Sequence, residues 1–208
     1  TWNASNTNWT VLPNAGINGP WASQVGVFAG TAGTVTVAGA QDFQGLQFTT
    51  TGYTINGAGT LNMTGNAFGN AAASFFNVDA GVTATVNANI TGAGIGLDKI
   101  VGTGTLVLGG ANTYTGDTHV AAGTLTIANT GSITSHVTND APATFNNNGT
   151  VTGTVANAGA GTNTGTITGS VSNTGGTFDN SGTITGAATI SGGAVTNTAG
   201  TVGSASLT

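Results

Sequence analysis

Any chemistry in this 208-residue chain must come from very few side chains. The ionisable set is six aspartates (Asp42, Asp79, Asp98, Asp117, Asp140 and Asp179), two histidines (His119 and His136) and one lysine (Lys99). Glu, Arg and Cys do not occur, and the formal net charge is −5. Charged residues make up 3% of the chain, against roughly a quarter in an ordinary soluble domain. One lysine cannot neutralise a run of phosphates and release their counterions, so nucleic acid is excluded as a partner. A polybasic membrane-surface site fails for the same reason. Without Cys there is no disulfide, thiol nucleophile or Cys-based zinc site. No run of about 20 apolar residues exists that could form a spanning helix.

Three arrangements within this small set could carry chemistry. Asp79, Asp98 and Asp117 recur at intervals of 19; stacked one per turn, they would repel one another or hold a cation. Ala93–Val101 departs from the calcium-binding nonapeptide pattern only at Ala93, but that motif works in tandem copies and this is a single one. His119 and His136 are separated by about one coil of chain. They are the groups that titrate nearest neutrality, with no Cys, Glu or Asp pair to complete a metal site. Glycoside hydrolysis needs paired carboxyls, and these are scattered. No Gly-x-Ser-x-Gly elbow occurs. The plainer reading is preferred throughout: solvated Asp corners and surface histidines. No catalytic, cofactor or metal residue is assigned, and the chain is not read as an enzyme.

The elements behind these residues are legible from a repeat. From residue 129 onward, units begin at Asn129, Asn147, Asn163 and Asn180, with a looser start at Asn197; the spacings are 18, 16, 17 and 17. Ile133, Val151, Ile167 and Ile184 hold one phase, and Val137, Val155 and Val171 a second. Phe145, Phe178 and Val195 suggest a third, and Asn139, Asn157 and Asn173 a second Asn column that Ile190 interrupts. Short Thr-, Val- and Ile-rich pieces favour extended backbone, and Gly and Asn suit the corners between them. One unit cannot bury its own apolar residues, but units stacked about 4.8 Å apart can. Asn129, Asn147, Asn163 and Asn180 are therefore expected at one corner as a hydrogen-bonded structural ladder. A helix fails on periodicity, and a β-sandwich would not explain in-phase Asn columns.

Residues 102–127 add a second kind of evidence. Gly104-Thr-Leu-Val-Leu, Asn112-Thr-Tyr-Thr-Gly116, Val120 and Gly123-Thr-Leu-Thr-Ile127 closely resemble the autotransporter-associated β-strand repeat of type V secretion passengers. Trp2 and Trp9, Gly33-Thr-Val-Thr-Val37, Leu46-Gln-Phe48 and Gly52-Tyr-Thr-Ile55 resemble the lead-in segments of such passengers, so the likeness covers roughly residues 1–131. It implies an all-β, single-stranded, right-handed parallel β-helix, exported through the periplasm and an outer-membrane barrel that is not in this sequence. The chain divides as a cap over 1–30, repeat-like coils over 31–131 and short coils, following the tail period, over 132–208. Trp2, Trp9 and Trp21 are expected to close the open end of the solenoid. The family implies a stalk or adhesin at the bacterial surface, facing a host-surface or matrix protein or glycan, with self-association as a further possibility. The alternative is a carbohydrate-active or glycan-binding β-helix. About ten or eleven coils are expected.

Overall fold

A computed structural model describes residues 1–3, 5, 9–10, 18–19, 21–66 and 70–208. Among the described residues there is no helix. The chain winds as a parallel β-solenoid with three faces per coil. Face A begins with Val25–Phe28 and Gly45–Phe48, face B with Thr34–Thr36 and Tyr53–Asn56, and face C with Ala40–Phe43 and Thr60–Met63. These strands pair in parallel with their counterparts one coil later, and on face C the pairing breaks once, between Asn89–Thr91 and Ala111–Asn112.

Coil length is read directly from the face A register. Early in the chain the pairs are Val25 with Gly45, Gly45 with Phe75, Phe75 with Asp98, Leu97 with Thr118 and Thr118 with Val137. The longest of these coils is the one from Gly45 to Phe75. Val137 then pairs with Val155, Val155 with Val171, Val171 with Ala188 and Ala188 with Ala205. These later coils are the shorter ones and keep the tail period. Nine coil-to-coil steps result, about 43 Å at the usual strand spacing. Among the described residues this makes nine full turns through ten stacked strands, against the ten or eleven coils expected, because several early coils are longer than about 20 residues.

The burial pattern alternates along most strands, as period-2 side chains require. Inner positions form columns. Ile133, Val151, Ile167 and Ile184 are successive register partners on face C, all at most 1% exposed. Val137, Val155 and Val171 do the same on face A. On face B, Phe145 pairs with Gly161 and Gly161 with Phe178. A Cβ at Gly161 would lie 2.5 Å from the Phe178 ring, so the missing side chain is what lets two buried aromatic rings share one column.

The first coils use a different filling. Phe28 stacks on Phe48 at 4.7 Å, and Phe43 meets Phe76 edge-on at 5.6 Å. Trp2, 1% exposed, bridges Val37 and packs on Trp21 at 5.0 Å and Phe28 at 5.9 Å. The Trp21 indole donates to the Asp42 carbonyl. Trp9 lies in a two-residue strand paired with Asn18–Gly19, and its side chain lies outside the described residues.

Candidate functional site

Two kinds of polar constellation stand out: amide ladders inside the coil, and an acidic groove outside it. The ladders come first because they fix the coils.

Asn147, Asn163, Asn180 and Asn197 are successive register partners on face B. The Asn147 Nδ2 donates to Asn163 Oδ1 at 2.8 Å, Asn163 to Asn180 at 2.7 Å and Asn180 to Asn197 at 2.7 Å. Each amide also donates to a main-chain carbonyl, as Asn147 does to Thr166 and Asn163 to Thr183. Asn129 is the exception and corrects the expected set. It sits exposed in a turn, and Ile127 occupies the column position opposite Asn147. The interval from Asn129 to Asn147 misleads because this coil is longer: Thr124 pairs with Thr144, and Ile127 with Asn147. A parallel ladder on face A joins Asn139 to Asn157 and Asn157 to Asn173, both at 2.7 Å.

Both ladders start below an aliphatic residue, Ile127 above Asn147 and Val120 above Asn139. Neither can donate. Accordingly the Oδ1 atoms of Asn139 and Asn147 are buried without a hydrogen-bond partner. One coil above Val120, in the same column, stands Lys99. It is 0% exposed, and its Nζ donates to the Gly102 carbonyl in its own coil and to the Ala122 carbonyl in the next. That is the pattern of Asn157, which donates to Gly159 and to Thr177. The chain's single lysine thus serves as a corner bracket, and burial pushes its pKa down to about 8.

The coil bearing the motif noted in the sequence is built from the same parts. Asn112 is fully buried, accepts from the Ile90 amide and donates to the carbonyls of Gly110 and Ser132. Tyr114 fills the interior at 0% exposure. Its hydroxyl meets Thr118 Oγ1 at 2.7 Å, and Thr118 meets Ser135 at 2.6 Å, so the buried polar tips satisfy one another. Burial raises the Tyr114 pKa.

Outside the coil, Asp98, His119 and Thr138 are successive face A neighbours. His119 Nε2 lies 2.7 Å from Asp140 Oδ2, and its Nδ1 4.0 Å from Asp98 Oδ1. Asn70 donates to Asp98 Oδ2 at 3.0 Å. Asn70, Asp98, His119 and Thr138 rim a groove of about 560 Å³ whose walls include Gly94, Gly96, Thr115, Asp117 and Thr118. Asp98, His119 and Asp140 come from three successive coils, so the constellation exists only when they stack.

The spacing-based groupings do not assemble in this way. Asp98 pairs with His119, and Asp117 precedes the strand that carries His119. Asp79 follows the Ala73–Val78 strand at a corner. The three aspartates are therefore not stacked, since the local coils are longer than the interval between them. Asp98 is 9% exposed, which corrects its reading as a solvated corner. His136 lies at a corner, where its Nδ1 accepts from the Thr154 amide. Among the described residues, no three His, Cys, Asp or Glu side chains are grouped to hold a metal ion. Sequence reasoning did not bring Asp140 or Asn70 to Asp98 and His119; only the coil lengths do.

Comparison with known proteins agrees with this architecture. Residues 101–127 match the passenger-associated-transport-repeat family. They cover one complete coil, from the face B strand Thr105–Leu108 round to its register partner Thr124–Ile127. The chain is 40% identical over 133 residues to the protein named adhesin BmaC autotransporter of Brucella suis biovar 1 (strain 1330). That match covers 59% of this chain and 4% of the relative, so the chain spans a small part of the relative's length. No solved structure matches. The chain is a parallel β-solenoid, and the stretch similar to the passenger-associated-transport repeat forms a full coil near its middle.

Proposed function

We propose that this chain is a length of the surface-exposed stalk of an autotransporter adhesin, holding a contact surface away from the cell, and that it catalyses no reaction. The observation that carries this reading is the parallel strand pairing that continues along face A from Val25 to Leu207: each coil rests on the last, which makes a stiff rod. The absence of Cys suits export as an unfolded chain through a narrow barrel. The partner proposed is a host-surface or matrix protein or glycan, and the outer-membrane barrel would belong to the parent chain.

The groove at Asp98, Asp117 and His119 favours a second reading, a glycan contact on the same rod. One experiment separates the two. The purified chain is assayed on glycan arrays and on immobilised matrix proteins, beside Asp98→Asn and a variant lacking one coil (163–179). Under the stalk reading, binding survives Asp98→Asn, and the shortened chain still folds. Loss of glycan binding in Asp98→Asn alone would move the contact into the groove. Release of new reducing ends from any polysaccharide would overturn the non-catalytic reading.

A further inference from the structure

The last five coils contain an internal control. All three faces share the same backbone and the same demand for extended-backbone residues, yet their outward side chains differ. On face C the outward column runs Ser132, Thr150, Thr166, Thr183 and Thr201. Two residues further along the chain in each coil, and exposed, stand Thr134, Thr152, Thr168, Thr185 and Gly203. Nine of these ten positions carry a hydroxyl. In the same coils, face A presents Thr138, Ala156, Ser172, Thr189 and Ser206. Face B presents two outward columns, Thr144, Ala160, Thr177 and Ala194 beside Asn146, Thr162, Asp179 and Thr196, of which four in eight carry a hydroxyl. Strand propensity would favour Thr equally on every face, so it does not account for the uniformity of face C.

Face C is also flat by construction. Its strands are bordered by two glycine columns. A Cβ at Gly149, Gly165 or Gly182 would lie 2.1 to 2.2 Å from the carbonyl oxygen of the glycine one coil before. At Gly153 and Gly169 the nearest carbonyl oxygens, those of Ser135 and Gly153, would lie 2.2 and 2.4 Å away. The coils close up at these corners, where a side chain on the glycine would strike the coil before it. The Thr134 hydroxyl donates to the Tyr114 carbonyl at 2.8 Å and that of Thr168 to the Thr152 carbonyl at 2.7 Å, and β-branched Thr is stiff at χ1. The ribbon bears no charge and no aromatic ring. Its hydroxyls repeat about every 4.8 Å up the stack, and the two columns are about 6.7 Å apart for extended backbone.

We propose that this Thr ribbon is a binding face for the surface of ice. Its two repeats lie close to those of water oxygens on ice planes, so many hydroxyls can join the lattice in register at once. A single hydroxyl–water bond gains nothing over bulk water. A rigid array differs because its ordering is already complete in the folded chain, while the neighbouring methyl groups restrict water to the lattice sites. A second copy of the chain fits poorly. The ribbon is about 25 Å by about 10 Å from strand dimensions, far below the roughly 800 Å² per partner of a stable interface. A glycan would want an aromatic platform or a forked polar side chain, and the ribbon has neither.

The test is partition into ice. A dilute solution of the whole chain is frozen slowly onto a cooled rod, and the chain is quantified in the ice and in the remaining liquid. The chain should concentrate in the ice. Thr152→Lys with Thr168→Lys should return it to the liquid like an inert solute, whereas Thr144→Lys on face B should leave uptake unchanged. Circular dichroism and melting establish that each variant folds, and Thr152→Tyr alone replaces the double variant if that one melts early. Exclusion of the unmodified chain from ice would overturn the proposal, as would equal loss in Thr144→Lys. A dimer in sedimentation that the ribbon variants dissociate would reassign the face to self-contact.

Discussion

The stretches 25–127 and 137–207 solve the same problem, filling a three-sided coil, with different chemistry. The first has the longer coils and an interior rich in Phe28, Phe43, Phe48, Phe76, Leu46, Leu61 and Met63. The second has the shorter coils, columns of Val and Ile, and two amide ladders. A shorter coil encloses less cross-section, so large rings fit only where a neighbour gives way, as Gly161 does beside Phe178. The corners then lie close to the axis, and their carbonyls need donors. Asn supplies them at each coil, and the amide-to-amide bonds follow from stacking identical residues. In the wider region the same need is met without a ladder, by isolated buried donors such as Gln41, Ser74, Lys99 and Asn112. What differs with coil width is therefore whether the buried donors stack into ladders.

The largest difference between the two stretches is expected in the aromatic one. Phe76→Ala should cost about 3–5 kcal/mol in chemical denaturation, since a fully buried ring leaves a cavity. A loss near that of a surface substitution would mean that the early coils are not held by their rings. In the ladder region, Asn163→Ala should cost about 1–3 kcal/mol, because it removes two donors and strands the acceptor of its neighbour. Asn129→Ala, at an exposed turn, should leave the midpoint unchanged. Equal effects at the two sites would remove the ladder from the account.

Lys99 makes the contrast pH-dependent. Its folded pKa, about 8, lies below the ordinary 10.5, so between these values the unfolded chain binds more protons than the folded one. Stability should therefore rise with pH across this window, by about 1–2 kcal/mol from pH 8 to 10, and the cost of the buried charge is fully present below 8. Above about pH 10 the buried Tyr114, whose pKa is raised, acts in the opposite sense because its unfolded form ionises first. Melting curves of Lys99→Met should lack the rise below pH 10; a rise that persists would assign it to another group.

The smallest effect concerns the ladder starts. Val120→Asn places an amide next to the unpaired Asn139 Oδ1, so the ladder should extend upward by one member at a net change under about 1 kcal/mol. The same substitution at Ile167, between Val151 and Ile184, finds no free acceptor and should cost about 3 kcal/mol. If the two substitutions cost the same, the orphan acceptors are not real vacancies in the network.

Much of this molecule is readable from one dimension. Extended backbone follows from Thr, Val and Ile between glycines. Inner columns follow from equal phase, because stacking in register superposes equivalent residues; Ile133, Val151, Ile167 and Ile184 are legible for that reason. The ladder from Asn147 to Asn180 lies where the period is constant, and the passenger-type repeat is carried by a contiguous stretch of residues. Where the period drifts, sequence phase loses its meaning. Asn129 shares the Asn-x-Gly start of the later units, yet the longer coil from Thr124 to Thr144 puts Ile127 in its column. Asp79, Asp98 and Asp117 recur evenly, but the local coils are longer than that interval. They set Asp98 beside His119 and bring Asn70 to the same carboxylate. Coil length depends on how wide the packed interior is, which is settled by the contents of neighbouring coils together. That is a tertiary property, and so the groove, the role of Lys99 and the points where the ladders begin follow from packing rather than from spacing.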